Sequence, residues 1–251
     1  MAHVLESTRS FLYANPEQQL PHKRAAAFRK LIKLRLRGQP IAYLTGTSEF
    51  WSLPINVSPA VLIPRPETEL LVEMALAKIP DKADWRIADL GTGSGAIALA
   101  TASERKRCEV HATDISMAAI KVARKNARQL GLDHIRFHCG SWSKPLKGKF
   151  HLLLSNPPYI EAEDPHLLQG DLRFEPRKAL TPGADGLKAI RKISGLAQPK
   201  LVEGGWLMFE HGYDQGSATR EIMQQAGFEN IETLKDLQGH ERVSVGEKTG
   251  S

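Results

Sequence analysis

Cysteine is almost absent from this chain. Cys108 and Cys139 are the only two among 251 residues, and they form no CxxC pair. That excludes a disulfide framework and fits a reducing compartment. Cys139 follows His138, but two cysteines without ligand spacing are more simply read as small buried apolar side chains than as a metal site. Long hydrophobic runs are also missing. Nothing approaches the ~20 apolar residues that span a membrane. The start has no charged stretch leading into an apolar one, so no secretion signal is expected. Internal repeats and low-complexity segments are absent as well.

What is present is ordinary for a soluble globular protein: 41% hydrophobic and 25% charged residues. The length suits one large α/β domain with a small appendage. Charge is unevenly placed. The net charge is +6, and residues 1–40 alone hold eight Lys or Arg against two acids. The rest of the chain is therefore neutral overall. Such asymmetry marks either a surface for an anionic partner such as RNA or one solvated helix face.

Residues 2–14 and 23–37 read as helices. In the second, Phe28, Leu31, Ile32 and Leu36 share a face opposite Lys23, Lys30, Lys33 and Arg37. Residues 41–63 alternate short apolar runs with Gly46, Pro54 and Pro59, as a hairpin or meander does. Pro66 opens a helix that runs to Lys78. Glu67 and Glu69 fall in its first turn, where carboxylates suit the dipole. Arg65, between two prolines, is not needed by a helix and is available to a site.

Strands are expected over 86–90, 109–113, 135–138, 150–154 and 206–210, each followed by a helix or a loop. A closing pair is expected over 228–233 and 242–245. This order predicts a doubly wound, Rossmann-like parallel sheet with an antiparallel pair at one edge. Gly91-Thr92-Gly93-Ser94-Gly95 follows the first of these strands, where glycines let a ligand approach the backbone before a helix. Asp114 ends the second, the place where a ribose diol is gripped; a helix cap is the alternative. Trp142 lies in the loop after the third and either lines an aromatic-base pocket or anchors the surface.

The fourth strand runs into Asn156-Pro157-Pro158-Tyr159. Proline fixes φ and has no N–H, and it holds the preceding residue extended. The result is a rigid cluster of acceptors at the ligand-binding edge of the sheet. A planar NH2 group fits there, with one hydrogen on the Asn156 side-chain oxygen, the other on the Pro157 carbonyl, and its face against Tyr159. The glycines alone also permit a dinucleotide-dependent oxidoreductase, but that leaves the Asn-Pro-Pro-Tyr run without a use. Residues 160–186 form a long loop, read as a lid or a partner-binding surface.

Asp89-Leu90-Gly91-Thr92-Gly93-Ser94-Gly95, Asp114 and Asn156-Pro157-Pro158-Tyr159, in that order, resemble the motifs of class I S-adenosylmethionine-dependent methyltransferases. Ile63-Pro64-Arg65-Pro66-Glu67-Thr68-Glu69, Gly170-Asp171-Leu172-Arg173-Phe174-Glu175-Pro176 and Glu210-His211-Gly212 narrow the resemblance to the PrmC/HemK family of glutamine N5-methyltransferases. The resemblance runs from about Val4 to Gly246. It implies a seven-stranded methyltransferase domain over 65–247, a hairpin linker over 41–64, a helical substrate-docking segment over 1–40 and a disordered tail over 248–251. The resemblance also implies a family N-terminal domain of several helices, inside which this chain is expected to begin, about two helices short.

By the same resemblance, Gly91, Thr92, Gly93, Ser94 and Gly95 cradle S-adenosylmethionine, Asp114 holds its ribose, Trp142 borders its adenine, and Asn156 meets both cofactor and substrate. Asn156, Pro157 and Tyr159 carry the chemistry, and Pro158 and Arg65 help to bind substrate. The implied partner is a class I peptide-chain release factor, through the glutamine of its Gly-Gly-Gln loop. The enzyme would be a cytoplasmic monomer needing neither metal, membrane nor nucleic acid. Two related readings are a ribosomal-protein glutamine methyltransferase and a DNA or RNA amino-methyltransferase with the same Asn-Pro-Pro-Tyr site. The neutral charge of residues 41–251 gives the latter no basic groove. A catalytically silent RNA-docking protein is a third.

Overall fold

Leu152, Leu153 and Leu154 occupy successive positions of one strand, and each is fully buried. Successive strand side chains point to opposite faces, so a strand apolar on both sides must lie between two layers. In the computed structural model, which describes residues 1–250, Leu152 and Leu154 join the core on one face and Leu153 the core on the other.

The N-terminal part holds α1 (Ala2–Leu5), α2 (Arg9–Ala14), α3 (His22–Leu36) and α4 (Ile41–Thr45). The single helix expected over 2–14 is two. Glu6 adopts a left-handed φ of 55° that closes α1, and the Thr8 side chain caps α2 by accepting from Phe11 N–H. On α3, Phe28 and Leu31 are half-buried, but Ile32 and Leu36 are exposed. The packed stripe is Arg24, Phe28, Leu31 and Leu34, at spacings of three and four. The expected apolar face is therefore rotated. The first residues of the expected hairpin region form α4 instead, entered at Pro40 and ended by left-handed Gly46.

The hairpin follows as β1 (Thr47–Phe50) and β2 (Leu53–Asn56). Its two turn residues, Trp51 and Ser52, have φ of 53° and 56° without being glycine. That is the conformation a tight hairpin turn demands. Trp51 is held by N–H to Glu69 Oε1 at 2.7 Å and by its indole to Glu104 Oε1 at 2.8 Å. Glu69 is thus a hairpin clamp as well as a first-turn acid.

A single helical turn, Pro66–Thr68, leads into α5 (Glu69–Lys78). Then come β3 (Arg86–Leu90), α6 (Ala96–Glu104), β4 (Glu109–Asp114), α7 (Met117–Gln129), β5 (Arg136–Cys139), β6 (Phe150–Ser155), the one-turn α8 (Arg177–Leu180), α9 (Lys188–Ala197), β7 (Leu201–Glu210), α10 (Gly216–Gln225), β8 (Glu229–Lys235) and β9 (Glu241–Glu247). The sheet order is β5-β4-β3-β6-β7-β9-β8. The first five strands are parallel, and β9 is antiparallel to both β7 and β8. The seven-stranded, doubly wound sheet with an antiparallel edge pair is as expected.

From β3 the chain winds outward to β4 and β5, then returns to place β6 on the other side of β3. The reversal opens a crevice at the carboxyl ends of β3 and β6. The loops beginning at Gly91 and Asn156 meet there.

Other differences are local. Lys248 is not in a disordered tail: its N–H bonds Gly205 O at 2.8 Å, and its amine bonds Gln198 O and Leu201 O. Ser251 of that expected tail lies outside the described residues. Cys108 is buried as expected, but Cys139 is exposed. His138 turns to His111, ring nitrogens 3.0 Å apart, and no group of three potential metal ligands occurs among the described residues. No helix among them is long and apolar enough to cross a membrane.

Asn126 ties three parts together. It is fully buried on α7. Its oxygen accepts from Asn56 N–H at 2.8 Å, and its nitrogen donates to Asn56 O at 3.0 Å and Ser94 O at 2.9 Å. Asn126→Ala leaves these groups without partners. The expected cost is roughly 2–4 kcal/mol, since a buried group left unsatisfied loses its full desolvation penalty. Urea unfolding of the two proteins checks it.

Candidate active site

A cavity of about 430 Å³ lies in the crevice, within the ordinary size range of small-molecule sites. Its floor is the loop after β3. Gly91 and Gly93 have φ of 82° and 55°, so an L side chain would be strained at either. A Cβ at Gly93 would meet nothing within 4 Å, whereas one at Gly91 would come within 3.1 Å of the Trp142 ring. One glycine thus leaves open space for a ligand, and the other lets Trp142 close over the loop. Thr92 and Ser94 line the cavity too.

Gly95 does not line it. A Cβ there would press on Ala123 and Leu99, so this glycine serves the packing of α6 against α7. Asp89 lies beneath the loop, fully buried, accepting from the Thr92 hydroxyl at 2.6 Å and from Ala98 N–H at 3.3 Å. Burial pushes its carboxyl up to about 7.

Asp114, at the end of β4, lines the cavity. It is not the cap of α7: Ser116 is, accepting from Ala119 N–H. Asp114 accepts from Ser116 N–H at 2.8 Å and Gly93 N–H at 3.0 Å, one on each oxygen. These bonds aim the carboxylate and leave further lone pairs on both oxygens. Burial raises its pKa, against the pull of the two N–H groups. Ile115, next in sequence, lines the cavity while 72% exposed. An apolar residue left in the open beside an aimed carboxylate is a platform for an apolar ring. No sequence signal distinguishes it from a core isoleucine.

Asn156 and Pro158 form the opposite wall. The Asn156 side-chain nitrogen donates to Thr68 Oγ1 at 3.0 Å. No donor among the described residues takes its side-chain oxygen or the Pro157 carbonyl. Pro157 itself is buried and does not line the cavity, but its carbonyl belongs to the peptide that joins it to lining Pro158.

Tyr159 differs from expectation. It does not line the cavity, and the contact the structure gives its side chain is with a buried acid. Its hydroxyl donates to Glu210 Oε1 at 3.2 Å, and its carbonyl accepts from Gln215. Burial and the nearby Glu210 push the phenol's pKa up.

Arg65 does line the cavity, yet its guanidinium is engaged. It pairs with Glu175, whose other oxygen accepts Ile63 N–H at 3.2 Å. Glu175 is 5% exposed. Two residues earlier in the same segment, Arg173 donates to Arg37 O at 2.9 Å, and Asp171 takes Arg35 at 3.0 Å. The run from Gly170 to Pro176 is therefore a seam. It joins α3, the Pro-Arg-Pro elbow and the cavity rim. Beyond it, Ile160 N–H bonds Leu180 O and Ala162 N–H bonds Gly183 O. The segment expected to serve as a lid or a partner-binding surface is folded back on itself by these bonds.

Thr68 and Glu210 were singled out by sequence only as members of motifs, with no role. Thr68 stands on the cavity wall at 4% exposure. Glu210 ends β7, one position beyond the Ser155–Phe209 register pair, and so beside Asn156.

Comparison with known proteins bears on the family and the fold. The family model for the methyltransferase small domain matches residues 66–183, and that for the PrmC N-terminal domain matches residues 1–46. A release factor glutamine methyltransferase of Xylella fastidiosa is 48% identical over 251 residues, covering 100% of this chain and 91% of its own length. One from Vibrio cholerae is 49% identical, covering 98% of this chain and 87% of its own. Among solved structures, a methyltransferase from Pyrococcus furiosus superposes with a TM-score of 0.60 at 19% identity, over 79% of this chain and 90% of its own. That likeness is one of fold.

Proposed function

The chain belongs to the release factor glutamine methyltransferase family, and we propose that it transfers a methyl group from S-adenosylmethionine to the side-chain amide nitrogen of the glutamine in the Gly-Gly-Gln loop of a class I peptide-chain release factor. One observation carries the chemistry. Asn156 commits its amide nitrogen to Thr68 and keeps its oxygen unpaired at the cavity wall. A planar NH2 donor is what such an acceptor takes.

The cavity residues fit the cofactor. The open backbone at Gly93 admits a ligand, the aimed Asp114 carboxylate suits two ribose hydroxyls, and the exposed Ile115 with Trp142 suits a flat base. When bound, S-adenosylmethionine supplies an electrophilic methyl on a sulfonium.

The glutamine amide is a poor nucleophile because its lone pair is delocalised into its carbonyl. The protein's part is therefore orientation and electrostatics. The Asn156 side-chain oxygen and the Pro157 carbonyl accept the two N–H hydrogens and turn the nitrogen's face toward the methyl. These bonds strengthen as the nitrogen becomes positive, so they favour the transition state over the ground state. No base is needed, since a methylated amide cation loses its proton readily. Pro157 and Pro158 hold the acceptors rigid. Tyr159 braces Glu210 behind them. Arg65, paired with Glu175, fixes the rim through which the substrate loop enters.

The direct test is mass spectrometry of a digested class I release factor after incubation with this protein and S-adenosylmethionine. One methyl group is expected on the Gly-Gly-Gln glutamine. An unmodified peptide, with methylation instead of ribosomal protein or nucleic acid, overturns the substrate assignment.

A further inference from the structure

The Asn156 acceptor works only if its amide is the right way round. Oxygen toward the cavity accepts an NH2; nitrogen toward the cavity repels one. The two ends are nearly alike in size, so packing does not choose between them. Hydrogen-bond partners do.

The partner here is Thr68 Oγ1, 3.0 Å from the Asn156 nitrogen. A hydroxyl is itself ambiguous, because it can accept from a nitrogen or donate to an oxygen. It accepts from Asn156 only if its own proton goes elsewhere. No backbone carbonyl among the described residues takes that proton. The remaining acceptor is Glu210.

Glu210 is 1% exposed. Its Oε1 accepts from Tyr159 at 3.2 Å, while its Oε2 is buried with no hydrogen-bond partner among the described residues. The Thr68 hydroxyl favours the charged form of this carboxylate. The structure thus holds a buried carboxylate oxygen without a partner and, on Thr68, a hydroxyl proton without an acceptor among the described residues.

We propose that Glu210, through Thr68, sets which end of the Asn156 amide faces the cavity, making both positioning residues for methyl transfer. This rests on the function proposed above. With Glu210 ionised, Thr68 donates to it and must accept from the Asn156 nitrogen. The Asn156 oxygen is then presented. With Glu210 protonated, its carboxyl O–H donates a hydrogen bond to Thr68 Oγ1, and the Thr68 hydroxyl donates its own hydrogen to the Asn156 oxygen. The nitrogen then faces the cavity and the site is closed to an NH2 substrate.

The acid is poised to switch. Burial pushes Glu210 up to about 7, against the Thr68 and Tyr159 hydroxyls and Arg242 on β9, with Glu67 of the turn before α5 adding to the push. Raised above the ordinary carboxylate range, the group protonates as pH falls through neutrality. Turnover then falls on the acid side.

The test measures kcat at saturating substrate and cofactor from pH 5.5 to 9, with cofactor affinity measured separately. In the unaltered enzyme, kcat is expected to fall about tenfold per pH unit below the Glu210 pKa, the slope of one essential ionised group. Glu210→Gln mimics the protonated acid: Tyr159 keeps the side-chain oxygen, so the NH2 faces Thr68. Its rate is expected to be low, roughly tenfold or more below the unaltered enzyme at pH 8.5, and flat with pH. Thr68→Val should show the same, Thr68→Ser should restore rate and acid limb, and cofactor affinity should hold throughout. A Glu210→Gln enzyme that keeps the limb overturns the inference and points to Asp89, the other acid raised to about 7. So does a Thr68→Val enzyme of normal rate. Failure of the unaltered enzyme to methylate the release factor strikes the proposed function instead.

Discussion

Asn156→Ala is expected to slow methyl transfer by about 10²–10³-fold, the usual loss when one preorganised hydrogen-bonding group is removed from where charge develops. The reasons are specific to this site. The Asn156 oxygen has no partner among the described residues, so its acceptor capacity is held for the substrate. Alanine removes that acceptor and leaves the Pro157 carbonyl to hold the NH2 by one hydrogen, which no longer fixes the direction of the nitrogen's face. Cofactor affinity should change little, because the loop after β3 and Asp114 are untouched. The experiment is a single-turnover rate beside a calorimetric titration with S-adenosylmethionine. Equal losses in rate and affinity would mean that Asn156 belongs to the cofactor's own pocket. Asn156→Asp is the more severe case for the amide logic. It keeps an acceptor but leaves a carboxylate against Thr68, which then has two acids competing for one proton.

Asp114→Ala is expected to weaken S-adenosylmethionine binding by about 10²-fold or more. Hydrogen bonds to a charged group contribute about 1.5–3 kcal/mol each, and two ribose hydroxyls would be lost together. The carboxylate is already aimed by Gly93 and Ser116 N–H groups at 3.0 and 2.8 Å. It therefore loses little freedom when a ligand arrives. Asp114→Asn should cost less, since its oxygen still accepts, but its NH2 would confront one of the N–H donors. The turnover of saturated enzyme should be nearly normal in both. Affinity within twofold of the unaltered protein would remove Asp114 from the cofactor site and leave it as a brace between the Gly93 loop and the turn into α7.

The acid limb inferred for Glu210 has a counterpart in stability. Glu210 and Asp89 both hold their protons more tightly folded than unfolded, with values raised to about 7. Their contribution is full below the ordinary carboxylate pKa and is lost as pH rises through neutrality. Glu210 thus asks for opposite conditions: protonation favours the fold, while ionisation favours the acceptor geometry. Function of this kind commonly sits on a group that stability would rather neutralise.

Much of this protein was determined by its sequence alone, and the parts share one property: each is a local constraint. A strand apolar on both faces, as at Leu152–Leu154, has to lie inside a covered sheet. Glycines at positive φ have to make the tight loop at Gly91 and Gly93. Two prolines have to hold Asn156 extended wherever the strand leaves it. An acid at the end of the second sheet strand has to stand at the open edge. These follow from backbone sterics and periodicity over a few residues, and they sufficed for the fold class and the approximate cavity. Tertiary structure decided what depends on distance between separate segments. Thr68 meets Asn156 across 88 residues of chain, and Arg65 meets Glu175 across 110. Tyr159 meets Glu210 through its hydroxyl across 51 residues. Ile32 and Leu36 stay exposed because Arg24, Phe28, Leu31 and Leu34 form the stripe that packs. A side-chain amide has no preferred end until its partners are in place, and here they come from separate segments, the helical turn before α5 and the end of β7. The residues at the site were local facts; which of their atoms face it was settled only when the chain closed.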